Sequence, residues 1–313
     1  MTNRNHTLMK DFLLLGFGDL HNFKILLFTI FLIIHILALT SNALVVVLVA
    51  FFRSLHSPMY IFISQLSLSE IVFTSIIVPN MLWLILVGGG KVSVARCFFQ
   101  FYLLAVPAVA QCLLLASMSF DRYLAICKPL HYASIMTIRH QLKISTFCWS
   151  MGLMVAFVLY VLLDSLEFCG PNTINHFFCD ITPVVELSCS DNPALQLATS
   201  IFSFPFVACP FIFIVATYIS ILHTILKIPS ISGRHKAFST CSSHLTVVNL
   251  YYGSLAVGSI PIFPGSVNLN KILSLFYTLV TPLVNPLIYT LRNQEIRDAI
   301  KKFIHKSWTP ANS

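Results

Sequence analysis

The sequence predicts an all-α membrane protein, a seven-transmembrane helix bundle closed by a short amphipathic C-terminal helix. Three observations predict it. The first is composition: 57% of the 313 residues are hydrophobic and 10% are charged, against about 25% charged in a soluble domain. The second is pattern. Apolar residues fall in seven continuous runs, roughly 24–51, 58–86, 98–120, 141–163, 195–226, 237–262 and 272–291, and about 20 residues suffice for a helix to cross a bilayer. Continuous rather than alternating runs exclude a β-barrel. The third is the sorting of positive charge. Of 19 Lys and Arg residues, 13 (from Arg53 and Arg122 to Lys306) lie in segments on one side. That side is therefore cytoplasmic, which places the N-terminus outside and the C-terminus inside at the plasma membrane.

The net charge of +8 is explained by this sorting, so no nucleic-acid partner is implied; the partner that composition demands is the lipid bilayer. Short polar connections leave one seven-transmembrane domain, 24–291, between an extracellular tail, 1–23, and a cytoplasmic tail, 292–313. Met1–Lys10 is polar and Phe12–Phe17 is too short for the apolar core of a signal peptide, so the first span is expected to act as the targeting signal. Asn5-His6-Thr7 forms a glycosylation acceptor on the outer tail.

In chain order, the first run carries one amide, Asn42, read as an interhelical hydrogen bond. Pro58 suits the opening of the second helix, where its missing N–H is not needed. Glu70 lies deep in that helix, and an intramembrane acid must have polar partners on other helices; Gln111 and Asn285 are the candidates. On the third helix Leu104, Ala105, Ala108 and Val109 share one face by helical spacing. That helix closes in Met118-Ser119-Phe120-Asp121-Arg122-Tyr123-Leu124-Ala125-Ile126-Cys127. Charges are kept at membrane edges, so Asp121-Arg122 is expected to mark the exit from the bilayer, as an exposed pair worth about 1 kcal/mol.

The loop after the fourth helix holds Cys169, Cys179 and Cys189, which with Cys97 make four cysteines on the outer side, where disulfides persist. Four cysteines allow three pairings. A zinc site using His176 and Cys179 would leave thiolates unpaired and is the poorer reading. Phe202, Phe206 and Pro210 fall on one half of the fifth helix, with Tyr218 further along. Pro286 in the last span breaks backbone hydrogen bonds that neighbours must satisfy. Beyond it, Ile296, Ala299, Ile300, Phe303 and Ile304 repeat at i, i+3, i+4, i+7, i+8, the pattern of a helix lying on a membrane surface.

Five separated segments carry a resemblance. They are Leu55-His56-Ser57-Pro58-Met59-Tyr60, the Asp121-Arg122-Tyr123 segment through Cys127, the loop with its three cysteines, Lys236-Ala237-Phe238-Ser239-Thr240-Cys241-Ser242-Ser243-His244, and Asn285-Pro286-Leu287-Ile288-Tyr289 followed by Thr290-Leu291-Arg292-Asn293. In this order they resemble the odorant receptors, a branch of the rhodopsin-like (class A) G-protein-coupled receptors. The resemblance implies a receptor that binds a small hydrophobic odorant and activates a heterotrimeric G protein of the olfactory, stimulatory type, raising cyclic AMP. It implies a ligand pocket in the outer half lined by Leu104, Ala105, Ala108, Val109, Phe202, Phe206, Leu255, Ala256, Ser259, Leu275 and Thr278. Leu104 matches the position where amine receptors carry an acid, so a neutral ligand is expected, with Ser259 or Thr278 orienting a polar group. It implies a switch of Asp121, Arg122, Tyr123, Tyr218, Lys236, His244, Tyr252, Asn285, Pro286 and Tyr289, and a polar core of Glu70, Gln111 and Asn285 that holds either a hydrogen-bonded cluster or a sodium ion. The family mostly carries Asp where Glu70 stands. It selects the disulfides Cys97–Cys179 and Cys169–Cys189. No other cofactor is implied.

Enzymatic function is not expected. Among deep residues Glu70 is a lone acid, and His244 has no evident partner. A transporter would show internal repeats with broken helices at matching positions, and no such repeat is found. A chemoreceptor of the same fold for an internal metabolite is the alternative reading.

Overall fold

The computed structural model describes residues 9–168, 171–188, 197, 201, 204–259 and 267–308; the side chains of 182, 236, 239, 240, 256–259, 267–270 and 306–308 lie outside that description. A short strand, β1 (Asp11–Leu14), leads to helix α1 (Lys24–Phe51), α2 (Pro58–Val87), strand β2 (Gly90–Ser93) and α3 (Val94–Cys127). Then come α4 (Pro129–Ile135), α5 (Ile138–Asp164), strand β3 (Thr173–Ile174) and α6 (Ile181–Val185). A π-turn, Phe204–Ala208, enters α7 (Cys209–Leu226), followed by α8 (Ile231–Ser259) and α9 (Val267–Leu275). A second π-turn, Phe276–Val280, joins α9 to α10 (Thr281–Arg292), and α11 (Gln294–Trp308) ends the described chain.

Helix starts follow local chemistry. Pro58 opens α2 at a position whose N–H has no helical partner. The Ser93 hydroxyl accepts from Arg96 N at 3.3 Å, and Thr137 accepts from His140 N at 3.3 Å, so α3 and α5 each begin on a side-chain cap. α2 stops at Gly88, whose φ of +76° lets its N–H return to Leu84 O. Gly89 follows at +128°, and the two turn the chain straight into β2.

Six segments among the described residues are long and apolar enough to cross a membrane: His21–Phe51, Pro58–Val87, Val94–Cys127, Ile138–Asp164, Phe204–Leu226 and Lys271–Arg292. The expected run at 237–262 is not one of them. Its described part, 237–259, lies in α8, and residues 260–262 lie outside the described residues. Large side chains such as Ile25, Phe157, Ile212 and Ile219 are exposed around the helices, the surface expected where lipid replaces water.

α3 is the most buried span and packs against α2, α5 and α7. Its approach to α5 is close at Gly152, where a Cβ would sit 2.4 Å from the Val106 carbonyl oxygen. Two large hydrophobic clusters fill the bundle, beside a small one of Ile221, Ile225 and Cys241. One gathers Leu48, Leu66, Leu115, Met118, Val247 and Tyr289 toward the Asp121 end. The other gathers Phe12, Ile77, Phe98, Phe177, Phe178 and Leu279 toward the opposite, disulfide end.

At the disulfide end lies a small sheet of order β2-β1-β3, which the helical patterning did not anticipate. β1 pairs antiparallel with β2 (Asp11 opposite Ser93) and parallel with β3 (Leu13 opposite Thr173). The 11–14 segment of the predicted tail is thus tied down, with Phe12 and Leu14 buried. The Cys97–Cys179 disulfide fixes the loop to the head of α3. Cys169, Cys189 and Asn5 lie outside the described residues; next to the two cysteines, Phe168 and Ser188 form an antiparallel bridge.

Gly152→Ala is expected to destabilise the protein by about 1–3 kcal/mol, because the methyl must displace a backbone carbonyl rather than a flexible side chain. Thermal denaturation of the purified variant in detergent checks it; an unchanged midpoint would contradict the close approach of α3 and α5.

Candidate functional site

Three polar layers cross the bundle, one at each end and one between the two apolar clusters. The middle layer is built on Glu70, which is 2% exposed on α2. Asn285 Nδ2 on α10 donates to Glu70 Oε1 at 2.8 Å, and Gln111 on α3 is buried beside the same carboxyl. Asn42 on α1 joins α10 by a different route. Pro286 has no N–H, so the Pro282 carbonyl one turn earlier loses its helical donor. Asn42 Nδ2 supplies it at 2.8 Å, while also donating to Ala38 O at 2.9 Å. The proline that weakens α10 is thereby stitched to α1. Asn42 Oδ1, Asn285 Oδ1 and Gln111 Nε2 remain buried without a partner among the described residues. One carboxyl and amide oxygens are the donor types a small hard cation takes, so this layer fits a sodium ion as well as a hydrogen-bonded cluster.

The second layer lies at the Asp121 end. Here the structure corrects the exposed pair expected from sequence. α3 continues to Cys127, and Asp121 is 0% exposed. Arg122 donates from both Nε and Nη2 to Asp121 Oδ2, while Tyr132 OH on α4 donates to Asp121 Oδ1 at 2.9 Å. Both carboxylate oxygens are engaged. Hydrogen bonds to a charged group contribute about 1.5–3 kcal/mol each, so the lock exceeds a surface pair. Burial, with the Asp121 charge beside it, raises the Tyr132 phenol above its ordinary range and keeps it a donor. His244, also 0% exposed, does have a partner: its Nδ1 lies 2.7 Å from Tyr218 OH, which ties α8 to α7. Arg292 Nη1 donates to Ser242 Oγ, and Tyr60 OH donates to Asn293 Oδ1 at 2.8 Å. Tyr289 is buried in the neighbouring cluster, and Tyr123 packs against its edge. Of Lys236 only the backbone, in α8, is described.

The expected pocket residues fall around the disulfide-end cluster. Leu104 is a buried member, and Ala108 and Leu275 pack against it. Ala105 and Val109 are half-buried on the same helix. Leu255 packs against the other cluster instead. Phe206 sits half-buried in the π-turn before α7. Phe202 and the side chains of Ala256 and Ser259 lie outside the described residues. Thr278 is fully buried and spends its O–H on Ser274 O at 2.7 Å, so it does not offer that proton to a ligand. Tyr251 ties α8 to α3, donating to Ala108 O at 2.9 Å and lying 3.4 Å from Cys112 Sγ. Tyr252 packs its ring on Phe211 at 4.9 Å.

Sequence reasoning overlooked the third layer, under the loop. His176 Nε2 lies 3.1 Å from Ser274 Oγ, and Tyr277 OH donates to the same Ser274. Burial, with Lys271 nearby, pushes His176 down to about 4. Tyr132, Tyr251 and His176 were legible only as residue types; nothing in the sequence signalled their partners.

The family follows from comparison with known proteins. The family model for the olfactory receptor matches residues 31–307. Olfactory receptor 10A3 of Homo sapiens is 41% identical over 303 residues, covering 96% of each chain. Olfactory receptor 5P68 of Mus musculus is 42% identical over 305 residues, covering 97% of each. Olfactory receptor 10C1 of Homo sapiens is 42% identical over 304 residues, again 97% of each. This chain belongs to the olfactory receptor family and is a multi-pass membrane protein.

Two outcomes follow from the geometry. An unfolded histidine titrates near 6.5 and His176 near 4, so between these values the unfolded chain binds more protons. Stability is full above about pH 6.5 and falls on acidification toward 4, by up to about 3 kcal/mol. Melting curves at pH 7.5 and 5 check this, and His176→Gln should flatten the difference. Tyr132→Phe removes one donor to a buried carboxylate while leaving Arg122 paired. Loss of that hydrogen bond is then expected to destabilise the fold by about 1.5–3 kcal/mol, measured as a lower thermal midpoint of the purified variant in detergent; an unchanged midpoint would contradict the Tyr132–Asp121 bond.

Proposed function

We propose that this protein is an odorant receptor that binds a small, mostly apolar, neutral molecule in the outer half of its bundle and activates a heterotrimeric G protein of the stimulatory type, raising cyclic AMP. The observation that carries the coupling is the Asp121–Arg122–Tyr132 lock. It holds the only arginine of α3's second half in a buried, breakable pair at one end of the bundle. α8 supplies the seventh crossing: its 29 residues are long enough to span, and its polar half faces the Tyr218 and Arg292 partners of the second layer. The N-terminus lies outside, with 1–23 extracellular, and 292–313 lies in the cytoplasm. α11 has Ile296 and Ala299 buried and Lys301 and Lys302 exposed, which suits a helix resting on the inner membrane surface.

Burial of apolar ligand surface against Leu104, Ala105, Ala108, Val109, Leu255 and Leu275 would supply affinity at about 25 cal/mol per Å2. Leu104 on α3 presents no charge, which suits a neutral ligand. A ligand shifts a two-state equilibrium only through its differential affinity, and two devices are fitted to convert such a bias. Pro286 weakens α10 at the Asn42 tie, and Tyr251 couples α8 to the Ala108 carbonyl at the ligand face. When α8 moves, the Tyr218–His244 and Arg292–Ser242 bonds break with it, and Arg122 is freed to meet the G protein. The middle layer acts as a hydrogen-bonded switch on Glu70 and Asn285. A sodium ion there is the second reading, favoured by the two unpartnered amide oxygens.

Cells expressing the receptor with a stimulatory olfactory-type G protein, given a panel of volatile alcohols, aldehydes, ketones, esters, acids and amines, test the reading through cyclic AMP. A response to a neutral odorant that Arg122→Ala abolishes at unchanged surface level is expected. A response confined to amines would overturn the neutral pocket. An undiminished response of Arg122→Ala would overturn the switch.

A further inference from the structure

A shallow groove of about 690 Å3 runs along the first three turns of α5, away from the three polar layers. Ile138, Arg139, Leu142, Lys143, Thr146 and Phe147 line it. Arg139 and Lys143 stand one helical turn apart, which sets their Cβ atoms about 5–6 Å from each other on one ridge. That separation lets two cations close on a single phosphate group. Phe147 continues the ridge toward mid-membrane, with Leu142 and Thr146 beside it. Ile138, Leu142 and Phe147 are 65%, 57% and 57% exposed, so protein does not cover this face. Arg139 and Lys143 pair with no carboxylate among the described residues. The acid nearest to Arg139 in sequence, Asp121, is already held by Arg122 and Tyr132.

We infer that this face is a binding site for an anionic glycerophospholipid of the phosphatidylserine type. Its headgroup is clamped by Arg139 and Lys143, and its acyl chains lie along Leu142, Thr146 and Phe147. Charge complementarity selects the occupant. Two unpaired cations at the end of a membrane-crossing helix face the headgroup zone, and the apolar residues deeper on the same face are matched to hydrocarbon. Each Lys or Arg near an anionic membrane surface strengthens binding by about five-fold. The inference rests on α5 crossing a bilayer and not on odorant recognition.

The full-length receptor in nanodiscs of phosphatidylcholine doped with a photoreactive phosphatidylserine tests it, with photoreactive phosphatidylcholine as the comparison. Cross-links are mapped by mass spectrometry. Phosphatidylserine is expected to label the 138–150 segment in excess of phosphatidylcholine. The pair Arg139→Gln and Lys143→Gln should lower that labelling about twenty-five-fold. The pair Arg139→Lys and Lys143→Arg should keep it, which separates charge from folding. Soluble glycerophosphoserine in excess should not displace the lipid. Equal labelling by both lipids, undiminished labelling of the glutamine variant, displacement by the soluble headgroup, or cross-links from this segment to a second receptor copy would each overturn the proposal. A lost cyclic-AMP response would bear on the receptor reading alone.

Discussion

A carboxyl group in the middle of a bilayer is the constraint around which the bundle is arranged. Glu70 is 2% exposed, and leaving it without donors would cost several kcal/mol. Asn285 meets it at 2.8 Å, with Gln111 alongside, so α2, α3 and α10 converge on one point. Asn42 extends the layer to α1 through the carbonyl that Pro286 leaves without a helical donor. The layer divides the interior into two apolar clusters. Each half of the molecule can therefore repack while the centre keeps the helices in register.

The two ends are built on different principles. The disulfide end is fixed by covalent and backbone ties: Cys97–Cys179, the three-stranded sheet and the buried His176–Ser274 contact. The Asp121 end is held by single side-chain bonds between helices. Arg122 and Tyr132 hold Asp121, Tyr218 meets His244, Arg292 meets Ser242, and Tyr60 meets Asn293. Each contributes a few kcal/mol at most, and each joins elements that can separate without unfolding. A rigid cap above and breakable ties below suit a molecule in which a small bias at one end is read as motion at the other.

The burial of Asp121 shows how placement changes energy. From sequence, an acid and a base at the end of an apolar run read as a wet surface pair. In the fold α3 runs on for six residues and α4 folds back so that Tyr132 covers the second carboxylate oxygen. The same two residues then form a lock of higher cost. His244 follows the same logic: alone in its run of serines, it becomes half of a helix–helix tie only when α7 is set beside α8.

By itself the sequence determined the membrane solvent, four of the spans to within three residues at each end, the opening of α2 at Pro58, and the residues carrying the Asp121, Glu70 and Asn285 chemistry. These are legible because periodicity, hydropathy and rare intramembrane charges are local properties of the chain. Only the tertiary structure decided that Asn42 serves the carbonyl below Pro286, that Tyr251 reaches Ala108, that Thr278 turns its proton to its own helix, and that 11–14 adds a strand to Gly90–Ser93. Each of these joins atoms far apart in sequence, and a hydrogen bond of about 3 Å depends on helix rotation and approach that no local pattern encodes.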